Sequence, residues 1–241
     1  MTTLEKIEEL EKEIKKLKGV AVDAIPTYSF SKIKFSELET LVDIEKEIDR
    51  TKFDNWFSNS VDIKNDIEQF LKNLILENQD LVYDYSEEDL KVNLIIPILN
   101  LVKFKSFENQ FRDFYELALR YETDRFILKG TTDFVVSKGL IRSKKPYFFI
   151  QEFKKGQTDG YPESQLLAEL IAGVELNNWQ TIRGAYIVGA IWNFVILEKL
   201  GVNKYQYFVS QNFDSTKLED LKDIYKNLLF VKSEIIKENN S

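Results

Sequence analysis

The chain has 241 residues, with 33 lysines and arginines against 40 aspartates and glutamates and 44% apolar residues, enough for one large domain or two small ones. It contains no histidine and no cysteine, which excludes Ser-His and Cys-His nucleophiles, thiolate or imidazole zinc sites and disulfides; carboxylates, lysine, hydroxyls or a hard metal on oxygen remain. A net charge of −7 argues against general coating of nucleic acid, though not against a local basic groove, and without a long apolar run or an apolar signal core in MTTLEKIEELEK the sequence reads as soluble and cytoplasmic.

Residues 1–35 read as an N-terminal helix and linker, and 36–241 as the main domain with a helical first part. Ile7, Leu10, Ile14 and Leu17 alternate spacings of three and four, a two-heptad stripe suited to a homodimeric coiled coil or to packing on the body. Gly19 closes this helix, and Pro26 lies in an irregular stretch that suggests a hinge over 19–30. Ser36-x-x-Glu39 has the form of a capping box and predicts a helix through Leu38, Leu41, Ile44 and Ile48 to about Arg50.

A further helix is predicted over 61–77, with Ile63, Ile67, Phe70, Leu71 and Leu74 on one face. Another starts at Ser86-Glu87-Glu88-Asp89 and runs through LKVNLIIPILNLV, where Pro97 should kink it or end its first half. From about 111 the period drops to two, giving strands in RDFYELALRY, RFILKGTTDFVVS and KPYFFIQEFKK. Pro162 opens a helix in PESQLLAELIAGVELNN, strands follow in RGAYIVGAIW, NFVILEKL and YQYFVS, and a helix from Ser215 with Leu218, Leu221, Tyr225 and Leu228 inward ends the chain. The order predicts an α/β fold, a mixed central sheet flanked by helices with a helical N-terminal extension. Trp179 and Trp192 read as core, and Gly184 and Gly189 lack the Lys-Ser/Thr pair of a phosphate loop.

Two neighbouring strands carry acids inside apolar runs, Asp133 in GTTDFVV and Glu152 in YFFIQEFK. On a strand Glu152 and Lys154 share one face while Phe153 takes the other. Charges in such surroundings must pair with one another or with a metal. Two carboxylates beside one lysine suit Mg²⁺, with the ammonium near a nucleophilic water. An acid-x-Lys triplet begins at Glu13, Asp62, Asp89, Glu152 and Asp220, but four of these fall in predicted helices, where residues two apart do not share a face. Only Glu152-x-Lys154 closes a strand that follows a strand with an embedded aspartate.

These residues resemble the PD-(D/E)XK nuclease superfamily, whose restriction-endonuclease-like fold carries an Asp on one core strand and (Asp/Glu)-x-Lys on the next. The resemblance spans about residues 86–200 and implies that Asp133, Glu152 and Lys154 are the motif residues, although no proline precedes Asp133. It also implies an acid from the preceding helix, Glu88 first and Glu87 next, and a polar site residue on the following helix, Gln165, with Glu169 where some branches carry tyrosine. The segment 130–200 is similar to bacterial stand-alone proteins related to the nuclease region of type I restriction subunits.

The implied activity is hydrolysis of phosphodiesters in nucleic acid, DNA in the first place, with Mg²⁺ or Mn²⁺ held by Asp133, Glu152, Glu88 and the Phe153 carbonyl and with Lys154 orienting water. The alternative is a catalytically silent protein of the same fold that binds DNA or serves as an interaction module in a defence or repair complex. Lys138, Arg142, Lys144, Lys145, Lys154 and Lys155 give the segment 138–155 a net charge of +5. With the loop bearing Gly156 and Gly160, it is the expected phosphate-facing surface beside the site.

Overall fold

The computed structural model describes residues 25–156 and 162–239; the two-heptad segment 1–18 and Gly160 lie outside them. Its strands are β1 (Thr27–Ser29), β2 (Asp43–Lys46), β3 (Lys105–Ser106), β4 (Phe111–Glu122), β5 (Ile127–Lys138), β6 (Lys144–Lys154), β7 (Thr181–Val188), β8 (Ile191–Gly201), β9 (Lys204–Val209) and β10 (Phe213–Asp214). Its α-helices are α1 (Phe35–Leu41), α2 (Asp54–Phe57), α3 (Asn65–Asn78), α4 (Glu87–Leu90), α5 (Ile96–Val102), α6 (Pro162–Asn177) and α7 (Leu218–Asn239). All the strands join one mixed sheet in the order β2-β9-β8-β7-β6-β5-β4-β3, with β1 alongside β5 and β10 alongside β8.

The β2–β9, β6–β7 and β1–β5 pairs are parallel, and α6 is the crossover that makes the central β6–β7 pair possible. Side chains alternate across the strands. Phe134, Val136, Phe149 and Phe194 pack with α3, α5 and α7; Val135, Ile150, Ile182 and Val195 pack with α6 and α1 on the other face. The sequence of α6 is apolar almost all round because both of its sides are covered, and every residue from Ser164 to Val174 is buried. The expected mixed sheet flanked by helices is therefore present. Among the described residues no helix is long and apolar enough to cross a membrane.

Four sequence expectations change. The helix expected to reach Arg50 stops at Leu41, and Asp43–Lys46 instead pairs with β9, burying Ile44 beside Tyr205 and leaving Ile48 93% exposed. The helix N-cap is Lys34, whose backbone N–H donates to the Glu37 carboxylate (2.9 Å), so the expected Ser36/Glu39 box is not used. Pro97 does not end the helical run: a π turn over Lys91–Ile95, in which the Ile96 N–H reaches the Lys91 carbonyl, precedes it, and the run continues to Val102. Residues 27–30, read as part of a hinge, are built into the body, with β1 paired to β5 and Phe30 fully buried.

Smaller shifts follow the same logic. Helix α3 starts at Asn65 and leaves Phe70 40% exposed, and the turn between β7 and β8 falls at Gly189, whose φ of 58° suits glycine, so that Ile191 opens β8 and Trp192 belongs to it. Close approach sets the position of α6. A Cβ at Gly184 would lie 2.7 Å from the Ile150 carbonyl oxygen and 3.0 Å from Leu170 of α6. Gly184→Ala is expected to lower stability by about 1–3 kcal/mol in urea unfolding. An unchanged midpoint would show that α6 has room to move.

Candidate active site

Strand β5 has β4 along one side and two different strands along the other. Strand β6 pairs with it from Lys138 to Phe134, and β1 from Lys129 to Ile127. Between them, among the described residues, β5 has no strand paired on that side, and Asp133 stands in this gap. Its Oδ2 accepts the Phe153 N–H (2.8 Å), a side-chain bond in place of the ladder bond that β5 no longer makes. Glu152 and Lys154 emerge on the same face as Asp133, toward α6, while the Phe153 ring is buried in the opposite core. Lys154 Nζ forms a tight ion pair with Glu152 Oε1 and donates to the Phe153 carbonyl (3.1 Å). The three motif residues expected from sequence thus come together.

The start of α4 supplies further charge. Ser86 Oγ accepts the Asp89 N–H (3.1 Å), and the Asp89 carboxylate accepts the Ser86 N–H (3.2 Å) and O–H (2.6 Å), a reciprocal cap that fixes the first turn. The cap sets which residues face inward: Leu90 and Leu94 are buried, and on their side lie Glu87 and Lys91. Glu88 points to solvent and is exposed, so the acid that reaches the site is Glu87, the second choice from sequence. Lys91 Nζ lies 2.9 Å from Asp133 Oδ1, 3.3 Å from Glu87 Oε1 and 3.7 Å from Glu116 Oε1. The other Glu87 oxygen is 3.8 Å from Lys154 Nζ.

Sequence reasoning missed Lys91 and Glu116. Lys91 carried a signal, since it ends one of the acid-x-Lys triplets set aside for being helical. Glu116 carried none: it lies in the middle of β4 at φ 50°, between the Tyr115–Phe134 and Leu117–Thr132 pairs and hence opposite Asp133. A non-glycine residue at positive φ inside a strand is held there by its surroundings.

Helix α6 closes the site from above. Gln165 Nε2 donates to Glu169 Oε1 (3.1 Å), and both side chains are buried. The second carboxylate oxygens of Glu152 and Glu169 are buried and have no hydrogen-bond partner among the described residues. Burial, together with the charge of Asp133, pushes the Glu152 carboxyl up to about 8 despite the opposing pull of Lys154. Burial and then Glu152 drive Glu169 well above the ordinary carboxylate range. For Lys154, burial acts against the charge but the carboxylates of Glu152, Asp133 and Glu87 outweigh it and raise its pKa. Lys91 is raised in the same way, burial being outweighed chiefly by Asp133 and then Glu87.

The basic segment divides. Lys144 and Lys154 mark opposite ends of β6, about 33 Å apart at about 3.3 Å per residue, so Lys138, Arg142, Lys144 and Lys145 gather at the far hairpin. Lys154 and Lys155 alone remain at the site end. The far hairpin instead borders a shallow cavity of about 710 Å³ with Phe107, Ile141, Arg142 and Lys144. Trp192 is core as expected, and Trp179 packs half-buried against both hydrophobic layers.

The donor set is all hard oxygen: the carboxylates of Asp133, Glu152 and Glu87 and the Phe153 carbonyl. With an unpartnered buried oxygen on Glu152, it fits a hard divalent cation in chemical type. Among the described residues, however, no three acidic side chains stand in a metal-ligating arrangement; they are gathered around the ammonium groups of Lys91 and Lys154. No protein-family model matches the chain, and no curated protein is significantly similar to it.

Proposed function

We propose that this chain is a metal-dependent nuclease of the PD-(D/E)XK type with a restriction-endonuclease-like fold, hydrolysing phosphodiesters of DNA. The observation that carries the reading is the meeting of Asp133 with Glu152-x-Lys154 at the one stretch of β5 that β6 and β1 leave open. Asp133, Glu152, Glu87 and the Phe153 carbonyl are the groups that would hold Mg²⁺. Bound there, the ion supplies Lewis acidity toward the phosphate and makes a water more acidic.

The remaining work falls to the protein. Lys154 Nζ, fixed between Glu152 and the Phe153 carbonyl, orients the attacking water and offsets charge as it builds on the phosphate. The Phe153 N–H holds the Asp133 carboxylate in place. Gln165 and Glu169 close the α6 side and keep bulk water from Glu152.

Incubation of supercoiled plasmid and of single-stranded DNA with the protein in Mg²⁺ or Mn²⁺ tests the reading, and cleavage that stops on addition of a chelator is expected. No cleavage in either metal would sink it, and salt-dependent DNA binding without cleavage would favour a silent binding protein of the same fold. The helix acid can be tested separately. Glu87→Gln is expected to lower the cleavage rate by about tenfold or more, whereas Glu88→Gln, at an exposed position, should leave it unchanged. The reverse pattern would remove Glu87 from the site.

A further inference from the structure

We infer that Lys91 is a resident counter-ion of the acidic site, which a divalent cation must displace before it can reach Asp133. The inference rests on the metal-dependent reading above and adds the step by which metal gains entry.

Both oxygens of Asp133 are engaged. Oδ2 takes the Phe153 N–H at 2.8 Å and Oδ1 takes Lys91 Nζ at 2.9 Å, with the two side chains only 13% and 11% exposed. A carboxylate so enclosed is costly to bury without a partner, and the fold provides a cation for it from α4. A divalent ion with metal–oxygen distances of about 2.0–2.1 Å on Oδ1 would stand only about 4 Å from an ammonium bonded to the same oxygen, so the two positive charges repel strongly and compete for it.

Two features fit displacement better than permanent closure. Glu87 and Glu116, from separate elements, line the other sides of Lys91 at 3.3 and 3.7 Å, and the Glu116 side chain is 67% exposed. When Lys91 leaves Asp133, it moves between these two acids toward solvent and keeps its charge paired. Independently, Glu152 Oε2 is buried and has no hydrogen-bond partner among the described residues, a donor atom already in place on a carboxyl that neighbours Asp133. The ammonium is therefore a stand-in that lets the acidic site fold without metal and sets the metal concentration at which the site fills.

Titration of Mn²⁺ into wild type, Lys91→Met and Lys91→Arg, followed by calorimetry or by loss of the free Mn²⁺ spin resonance signal, tests this directly. Lys91→Met is expected to bind about tenfold tighter or better, the factor recovered when a state blocked in about nine molecules of ten is removed, and Lys91→Arg should stay close to wild type. Equal Mn²⁺ affinity in wild type and Lys91→Met overturns the counter-ion and leaves the metal site standing; absence of binding in both overturns the two together. Should Lys91→Met fail to fold, amine acylation of the wild type read by mass spectrometry decides. Labelling at Lys91 is expected to rise severalfold in excess Mn²⁺, and no rise overturns the inference.

Discussion

Lys154→Ala is expected to lower metal-dependent cleavage by about a thousandfold while leaving the chain folded. Among the described residues this ammonium is the one cation bonded both to Glu152 and to the Phe153 carbonyl, so its loss removes the group that aligns water and neutralises the phosphate. Folding should survive because Glu152, pushed up to about 8 even beside Lys154, can hold its proton and stay neutral once its partner is gone. Single-turnover cleavage at saturating Mn²⁺ gives the rate, and circular dichroism the fold. A folded Lys154→Ala protein that cuts within threefold of wild type, a difference of about 0.7 kcal/mol in the barrier, would remove Lys154 from catalysis.

Glu152→Gln should be as inactive and yet more stable than wild type at neutral and alkaline pH. In the folded chain the Glu152 carboxyl is raised from about 4.5 to about 8, so between these values the folded state holds a proton that the unfolded state has released. Stability therefore falls as pH rises through that window, by at most about 1.4 kcal/mol per pH unit, and levels off above it. Glutamine has no proton to lose, and the advantage of the variant should grow from pH 5 to pH 8. The raised pKa of Lys154 does not enter, since its contribution is complete below the ordinary lysine range and is lost only above it. Urea unfolding across this interval measures the difference. A variant no more stable than wild type at pH 8 would show that the ion pair outweighs the burial of Glu152.

The strand acids were legible because period-two patterning assigns faces without knowledge of any partner: Glu152 and Lys154 had to share a side, and Asp133 had only one neighbouring strand to meet them. The reciprocal cap at Ser86 and Asp89 was local and equally readable. What failed depended on distant pairings. Leu38, Leu41 and Ile44 are spaced for a helix, and only β9 draws Ile44 into a strand. Glu88 was placed before Glu87, and the phase that the cap gives the helix reverses that order. Lys91 was set aside because it cannot share a face with Asp89, which is correct, but its true partner is Asp133 on another element. The positive segment was counted along the chain, whereas the length of β6 carries most of its charge to the far end of the strand.

The sheet takes one edge strand, β2, and the short β1 beside β5 from the beginning of the described chain. Strand β1 needs Ile127–Lys129, and β2 needs residues as late as Lys204–Tyr207. During synthesis both emerge long before their partners and have nothing to pair with, so the contacts that complete the sheet are of high sequence separation and form late. The gap that exposes Asp133 is bounded by one of them. The pocket thus acquires its final outline only after β1, made first, has waited for β5, and the architecture of the site ties its completion to a slow step of folding.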